Sequence, residues 1–446
     1  MTELLTEKSI EQTLIHCHNA PHVYIGYSGG IDSHVLLHLC ASSSVLKAKL
    51  IAVYIHHGLQ VEAESWARHC QVTAESLGVG FRVLRVNAEA GQGESPEEAA
   101  RNARYKALKS LMAIDDVLLI AQHREDQLET VLLQLMRGSG LRGLSGMPHS
   151  IAFGLGVLLR PLLDVTKQAI NHYAQTHALR WVEDPSNSSN VYDRNFLRNE
   201  LLPLLKQRWP QCDKTVARSA GHCADAQILI SEQAQSLFIE MFNEDDQTLC
   251  ISQLLLCKPS LQAWVVREWF QAHNLKMPAQ AFIERLQTEV ISARTDSDPI
   301  LSGQGFCVRR YRDKLYCLKG GLLPRILEGH WPLGTDCIEL SSGWRLSCRP
   351  SSVGISLEQW QSSVITVKAR CGGEKMRVPG RQGSHALKNL FQEAGIPPWE
   401  RERMPLVFLD DKLAAVGDLW VSAEFYNEQI GGCIRLFLEN EKAVNA

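Results

Sequence analysis

Apolar positions in the first 180 residues fall into short unbroken runs separated by helical patterns. His22 to Tyr27 predicts a buried strand. It stops at Ser28-Gly29-Gly30-Ile31-Asp32-Ser33, and His34-Val35-Leu36-Leu37-His38-Leu39 then opens a helix. Leu50 to Ile55 predicts a second strand, ending at His56-His57-Gly58; Phe81 to Val86 predicts a third. Ser95-Pro96-Glu97-Glu98 reads as a capping box with proline at the first helical position, so a helix should run to about Met112. Val117 to Ala121 predicts a fourth strand, followed by Gln122-His123. Such alternation implies α/β architecture, a parallel sheet with helices on both faces. Ligands of these folds sit beyond the carboxyl ends of the strands, where the Ser-Gly-Gly turn, His56-His57-Gly58 and Gln122-His123 all lie.

Beyond residue 200 the pattern changes. Residues 201–292 carry helical periodicity broken by Pro203, Pro210, Pro259 and Pro278. Gly305 to Tyr311 and Lys314 to Leu318 read as two strands of a hairpin turning at Arg312-Asp313. A linker is expected near 320–350, and the last hundred residues read as a small α/β domain. The expected domains are 1–210, catalytic; 211–322, mainly helical; and 350–446, C-terminal.

Composition narrows the class. The 446 residues are 45% hydrophobic and 21% charged, as in a soluble globular protein of two or three domains. A net charge of −3 gives no general affinity for nucleic acid, so any basic surface must be local. Thirteen cysteines are scattered with no Cys-x-x-Cys pair, which suggests reduced thiols and a cytoplasmic location. The N-terminus reads as an amphipathic helix start without a signal-peptide core, and no apolar run approaches membrane-spanning length.

Strand, glycine turn and helix form a backbone cradle for phosphate: glycines permit close approach, and the helix N-terminus offers unpaired N–H groups. The turn lacks the Gly-Lys of the P-loop and the Gly-x-Gly-x-x-Gly of dinucleotide folds. Asp32 sits where turn meets helix. A carboxylate beside a polyphosphate makes sense with Mg²⁺ between them; a plain helix cap is the alternative.

Residues 121–147 read AQHREDQLETVLLQLMRGSGLRGLSGM. On a helix, Asp126 and Glu129 share a face, with Leu128, Leu132 and Leu135 directed elsewhere. An acidic pair near a phosphate cradle suits a cationic group. Spacing alone leaves a solvated helix surface, with Arg124 as ion-pair partner, as the simpler reading. Arg194 and Arg198 are four apart and share a helix face, where guanidinium groups could hold phosphate or AMP.

The Ser-Gly-Gly-x-Asp-Ser loop, Ser28 to Ser33, resembles the pyrophosphate (PP) loop of ATP pyrophosphatases, which cleave ATP to AMP and pyrophosphate to activate an oxygen. Residues 121–147 resemble the signature of tRNA(Ile)-lysidine synthetases, Ala-His-His-x-Asp-Asp-Gln-x-Glu-Thr followed by Leu-x-Arg-Gly-Ser-Gly. Gln122 replaces the first histidine and Glu125 the first aspartate. Further resemblance runs through His56-His57-Gly58-Leu59 with Trp66, Glu98 to Tyr105 including Arg104, Arg160-Pro161-Leu162-Leu163, Asp184-Pro185-Ser186-Asn187, and Asp193 to Arg198. The resemblance implies ATP and Mg²⁺ at Ser28, Gly29, Gly30, Ile31, Asp32 and Ser33, with Asp32 on the metal. It also implies lysine at Asp126 and Glu129, and substrate contacts at Arg104, Arg194 and Arg198, with Asp32, Asp126, Glu129 and Arg194 catalytic. The implied substrates are a tRNA-Ile with a CAU anticodon and free L-lysine; a homodimer is compatible with it.

The implied reaction adenylates the wobble cytidine, then couples lysine to it. A tRNA thiolase is the nearest rival, but thiolation usually needs catalytic cysteines. A non-catalytic RNA-binding protein with a relic loop is a rival from another class, opposed by the intact Ser28, Gly29, Gly30, Asp32 and Ser33. The C-terminal segment also resembles the longer family members. There Lys368, Arg370, Lys375, Arg377, Arg381, Lys388, Arg401 and Arg403 outnumber Glu374, Glu393, Glu400 and Glu402, with Phe391 and Trp399 among them. Such a patch suits an RNA surface.

Overall fold

The computed structural model describes residues 5–58, 62–87, 96–185, 189–294, 297–319, 328–332, 334–341 and 344–440. Ser95, Leu59, Ser186, Asn187 and the segment 320–327 therefore lie outside the described residues. The chain divides into two compact units, residues 1–233 and 234–446.

The first unit holds a six-stranded sheet: β1 Val23–Gly26, β2 Leu50–His56, β3 Gly80–Arg85, β4 Val117–Leu119, β5 Ser150–Phe153 and β6 Gly156–Leu159. Their order is β3-β2-β1-β4-β6-β5, parallel except for β5, which pairs antiparallel with β6. Val23 faces Leu50 on one side and Val117 on the other. Both faces are covered, which is why the strands read as unbroken apolar runs. Val23 and Ile25 pack into one core with residues of helices Ile31–Ser42, Ala63–Ser76 and Lys167–Thr176. Tyr24 packs on the other face with Leu108 and Met112, at and just past the end of helix Pro96–Leu111. Strand order reverses between β1 and β4, so a crevice opens beyond their carboxyl ends. The Ser-Gly-Gly turn follows β1 and Gln122-His123 follows β4.

The four expected strands and the Pro96–Leu111 helix form within a residue or two of their expected limits. The β5–β6 hairpin carried no such signal, because β5 is a four-residue edge strand with three of its residues exposed. Gly156 is obligatory there: a Cβ would lie 2.0 Å from the Asp116 carbonyl oxygen.

In the second unit the expected hairpin forms, Phe306–Tyr311 pairing with Lys314–Lys319 around Arg312 at φ +53°. It belongs to a five-stranded antiparallel sheet with Ile300–Ser302, Thr248–Cys250 and Phe242–Asn243. The last two strands lie in the stretch read as helical; two or three residues are too few to show a period. Helices Pro259–Ala272 and Gln280–Arg285 contribute the fully buried Trp269, Phe270 and Ile283 to the core of this region.

Antiparallel strands continue through the C-terminal region, the longest pair being Trp344–Ser356 with Tyr426–Asn440. The segment read as a linker is corrected: Gly329–His330, Cys337–Ser341 and the start of Trp344–Ser356 are strands. Their Gly, Ser and Pro content gave them the appearance of a loop.

Phe391 and Trp399 are also corrected. They are 0% and 6% exposed, so neither is a stacking platform for bases. Trp399 packs edge-on against Tyr316 at 5.2 Å, and the Arg309 guanidinium lies 4.4 Å from its ring centre. Arg401 is buried beside it, donating to the Tyr311 hydroxyl at 2.8 Å and the Ile396 carbonyl at 2.7 Å. This aromatic–arginine cluster ties the hairpin to the C-terminal helix Pro398–Arg401. Trp399→Ala should cost about 3–5 kcal/mol. Chemical denaturation followed by intrinsic fluorescence checks this; an unchanged midpoint would show that the cluster does not stabilise the unit.

Candidate active site

The turn after β1 is held by its own side chains. The Ser28 N–H donates to Ser33 Oγ at 3.2 Å, and the Ser33 hydroxyl donates to the Gly30 carbonyl at 2.9 Å. Gly29 has φ +82°, and a Cβ there would lie 2.9 Å from Cys70 Sγ. The Val182 N–H donates to the Gly29 carbonyl at 2.9 Å, which pins the turn from outside. Helix Ile31–Ser42 starts at once, with Gly30 as its cap residue, so its N-terminal N–H groups face the crevice.

A cavity of about 550 Å³ fills this crevice. Ser28, Gly30, Asp32 and Ser33 form its floor, while Gly29 and Ile31 shape the turn without lining it. Gln122 and Asp126 enter from the β4 side, His57 and Gly58 from the end of β2, and Arg101, Arg104 and Tyr105 from helix Pro96–Leu111. Arg194 and Arg198 close another side, joined by Asp184. The structure therefore brings the sequence-predicted loop, Asp126 and the arginines to one crevice, while Glu129 does not line it and is covered by Arg194 and Arg198.

The acidic pair is not a solvated surface. Helix Arg124–Met136 buries Glu129 completely and leaves the Asp126 side chain 15% exposed. Glu129 Oε2 accepts from Arg194 Nε and Arg198 Nη2, both at 2.9 Å, and its Oε1 accepts from Arg198 Nε at 2.8 Å. Asp126 Oδ1 accepts from Arg198 Nη2 at 3.0 Å, and Oδ2 from the His123 N–H at 3.0 Å. Arg194 and Arg198 are presented by an α turn, Asp193–Phe196, followed by a π turn, Leu197–Leu201. Arg124 is not their rival: it donates to the Asp164 carbonyl and lies 3.8 Å from Asp213.

Glu125 organises a second charged group. Its Oε1 accepts from Lys206 Nζ at 2.8 Å, its Oε2 from the Lys167 N–H at 2.9 Å, and His123 Nδ1 lies 3.3 Å away. Burial would raise its pKa, but His123 and Lys206 overcome that and hold it down to about 2. Burial likewise disfavours charge on His123, yet Glu125, Asp126 and Asp32 raise its pKa. The Lys167 ammonium reaches across to Asp32, which His123 Nε2 approaches at 3.8 Å. Gln122 accepts from Arg160 Nε at 2.5 Å.

Sequence reading left Lys167, Lys206 and His123 without roles. His123 had a signal, since it stands at the second histidine of the motif. Lys167 had none near it: it lies 135 residues from Asp32.

Among the described residues no group of three or more His, Cys, Asp or Glu side chains is placed to hold a metal. Asp32 is a single carboxylate facing the phosphate cradle. That donor set fits Mg²⁺, which keeps several waters and takes one or two carboxylates plus substrate phosphates.

Residues 3–205 match the PP-loop domain family, 249–316 the TilS substrate binding domain and 365–437 the TilS substrate C-terminal domain. The tRNA(Ile)-lysidine synthase of Methylococcus capsulatus is 40% identical over 405 residues, covering 90% of this chain and 92% of that protein. The protein of the same name from Xanthomonas campestris is 39% identical over 405 residues, covering 90% and 91%. A solved U34-tRNA thiolase from Methanococcus maripaludis, with a [4Fe-4S] cluster, aligns at 16% identity and a TM-score of 0.41, covering 48% of this chain and 77% of that one.

The depressed pKa of Glu125 carries a pH signature. The folded state gains stability above the ordinary carboxylate value of 4.5 and loses it as pH falls towards 2. The contribution is on the order of 3 kcal/mol. Glu125→Gln should lower stability at pH 7 and flatten its fall between pH 4.5 and 2. Urea denaturation across that range measures both, and an unchanged slope would remove Glu125 from the acid response.

Proposed function

Since the chain belongs to the tRNA(Ile)-lysidine synthase family, we propose that its cavity converts the wobble cytidine of a CAU-anticodon tRNA-Ile to lysidine in two steps. ATP first adenylates the C2 oxygen of the base, with release of pyrophosphate. The ε-amine of free lysine then displaces AMP. The protein is accordingly a ligase that uses ATP and acts on tRNA; the Mg²⁺, the lysine site and the residue roles are parts of the proposal.

The observation that carries the reading is one cavity lined by Ser28, Gly30, Asp32, Asp126, Arg194 and Arg198. In the first step the turn's N–H groups and the helix N-terminus receive phosphate oxygens. Asp32 is the proposed ligand for Mg²⁺, which would neutralise polyphosphate charge. Arg104 faces the same cavity and suits a phosphate or the base. In the second step Asp126 and Glu129 hold lysine by its other charged group, because the attacking nitrogen must be neutral. Positioning and charge neutralisation supply the catalysis.

The arginine contacts add an order of events. Without substrates, arginine engages both carboxylates. A cation reaches them only if the guanidinium groups have another anion to take. The phosphate of the adenylated base is that anion, so Arg194 and Arg198 would turn towards it as Asp126 and Glu129 turn to lysine. Charge-assisted hydrogen bonds of about 1.5–3 kcal/mol each make this exchange nearly even. On the second unit, the exposed Lys375, Arg377, Arg381 and Lys388 are the proposed tRNA phosphate contacts. Arg401 is buried and drops out of that set.

Mass spectrometry of tRNA-Ile incubated with enzyme, ATP and lysine tests the reading. A lysyl mass increment on the wobble cytidine is expected, and Asp32→Asn should abolish both it and AMP formation while the fold survives. An unmodified tRNA, or sulfur in place of lysine, would sink it. Calorimetry tests the order. Lysine should bind the free enzyme at least about tenfold more weakly than the enzyme carrying tRNA and a non-hydrolysable ATP analogue. Equal affinities would exclude the exchange.

A further inference from the structure

We propose that Lys167 is a further catalytic residue, the cation that receives the pyrophosphate as it leaves. The inference rests on the reading of Asp32 and its turn as the polyphosphate site. Lys167 donates its ammonium to Asp32 Oδ1, on the floor of the cavity. Lys167 does not itself line the cavity; its side chain is 34% exposed and meets the cavity through Asp32, which does.

The backbone under this side chain is more firmly built than an ordinary surface ion pair requires. Lys167 is the first residue of helix Lys167–Thr176, whose cap Thr166 accepts from the Ala169 N–H at 3.1 Å. The Lys167 N–H donates to Glu125 Oε2 at 2.9 Å, and Glu125 is itself held by Lys206 and His123. The lysine stem is thereby anchored from the β4 side while its head crosses to the turn after β1. A half-exposed ion pair is worth little to stability. The arrangement places a mobile point charge beside the phosphate cradle, a task that suits the flexible stem and compact ammonium of lysine.

The chemistry needs such a group. As the cytidine oxygen bonds to the α-phosphorus, the bond from that phosphorus to the bridging oxygen breaks. Its electron pair departs on pyrophosphate, which gains charge in the transition state. Lys167 pairs with Asp32 before ATP arrives. As the bond to the bridging oxygen breaks, it passes its ammonium to the β- and γ-phosphate oxygens, and Asp32 would then be free to hold Mg²⁺. Glu125 is the positioning residue that sets the reach of Lys167 without touching substrate.

The test compares Lys167→Ala, Lys167→Arg and Asp32→Asn with the unaltered enzyme. Rapid-quench AMP formation on tRNA-Ile should fall on the order of 100-fold in Lys167→Ala with little change in the KM for ATP. Calorimetry with inorganic pyrophosphate and MgCl₂ should show its Kd weakened at least about tenfold. Lys167→Arg should restore most of both. Unchanged AMP formation and pyrophosphate affinity in a folded Lys167→Ala protein would overturn the proposal. Should that variant melt early, Lys167→Met, which keeps the stem, gives the same readings. If Asp32→Asn loses AMP formation and Lys167→Ala does not, only the Lys167 inference fails. If both retain it, the reading of the loop itself fails.

Discussion

A fully buried carboxylate, Glu129, held by two guanidinium groups is the contact on which the catalytic unit turns. Removing one partner of a buried pair typically costs about 3–5 kcal/mol, because the other charge is stranded. The segment 193–201 therefore cannot drift from helix Arg124–Met136 without a large penalty. That constraint sets the width of the cavity. It also keeps two cations within reach of a phosphate site whose own protein charge, Asp32, is negative.

The same contact couples binding to chemistry. Substrates of opposite charge meet a site whose internal charges are already paired. Under the proposed exchange an anion alone would strand the carboxylates and a cation alone would strand the arginines, whereas the two together would satisfy both sets. Asp32 and Lys167 form a second ion pair in the same unit, which under the proposed mechanism would give way to a metal and a phosphate. Paired charges spare the empty site an unpaired ion, and the proposed exchange of partners would spare the working site one as well.

Legibility of the fold followed burial and sequence distance. β1, β2 and β4 are covered on both faces, so their apolar runs announce them; the glycine turn between β1 and its helix announces the cradle. The edge strand β5 is exposed, and its pattern is silent. Within the site, Asp126 with Glu129 and Arg194 with Arg198 share helix faces, but spacing alone leaves them as surface charge, and it is the resemblance that picks them out. Their pairing with one another, across 65 to 72 residues, is a tertiary fact that no spacing encodes. Phe391 and Trp399 show the converse error: aromatic residues among basic ones resemble an RNA surface until packing places them in the core.

Gln122 and Glu125, the two departures from the family signature, have physical accounts. Gln122 accepts from Arg160, which also donates to the Pro148 carbonyl, so an amide oxygen there neutralises none of the arginine's charge. Glu125 is one methylene longer than the aspartate it replaces, and its two oxygens span Lys206 on one side and the Lys167 backbone on the other. A shorter carboxylate at the same Cα would reach both only if a helix moved. The longer side chain thus joins the start of helix Arg124–Met136 to the start of helix Lys167–Thr176, and the reach of Lys167 to Asp32 starts from that join.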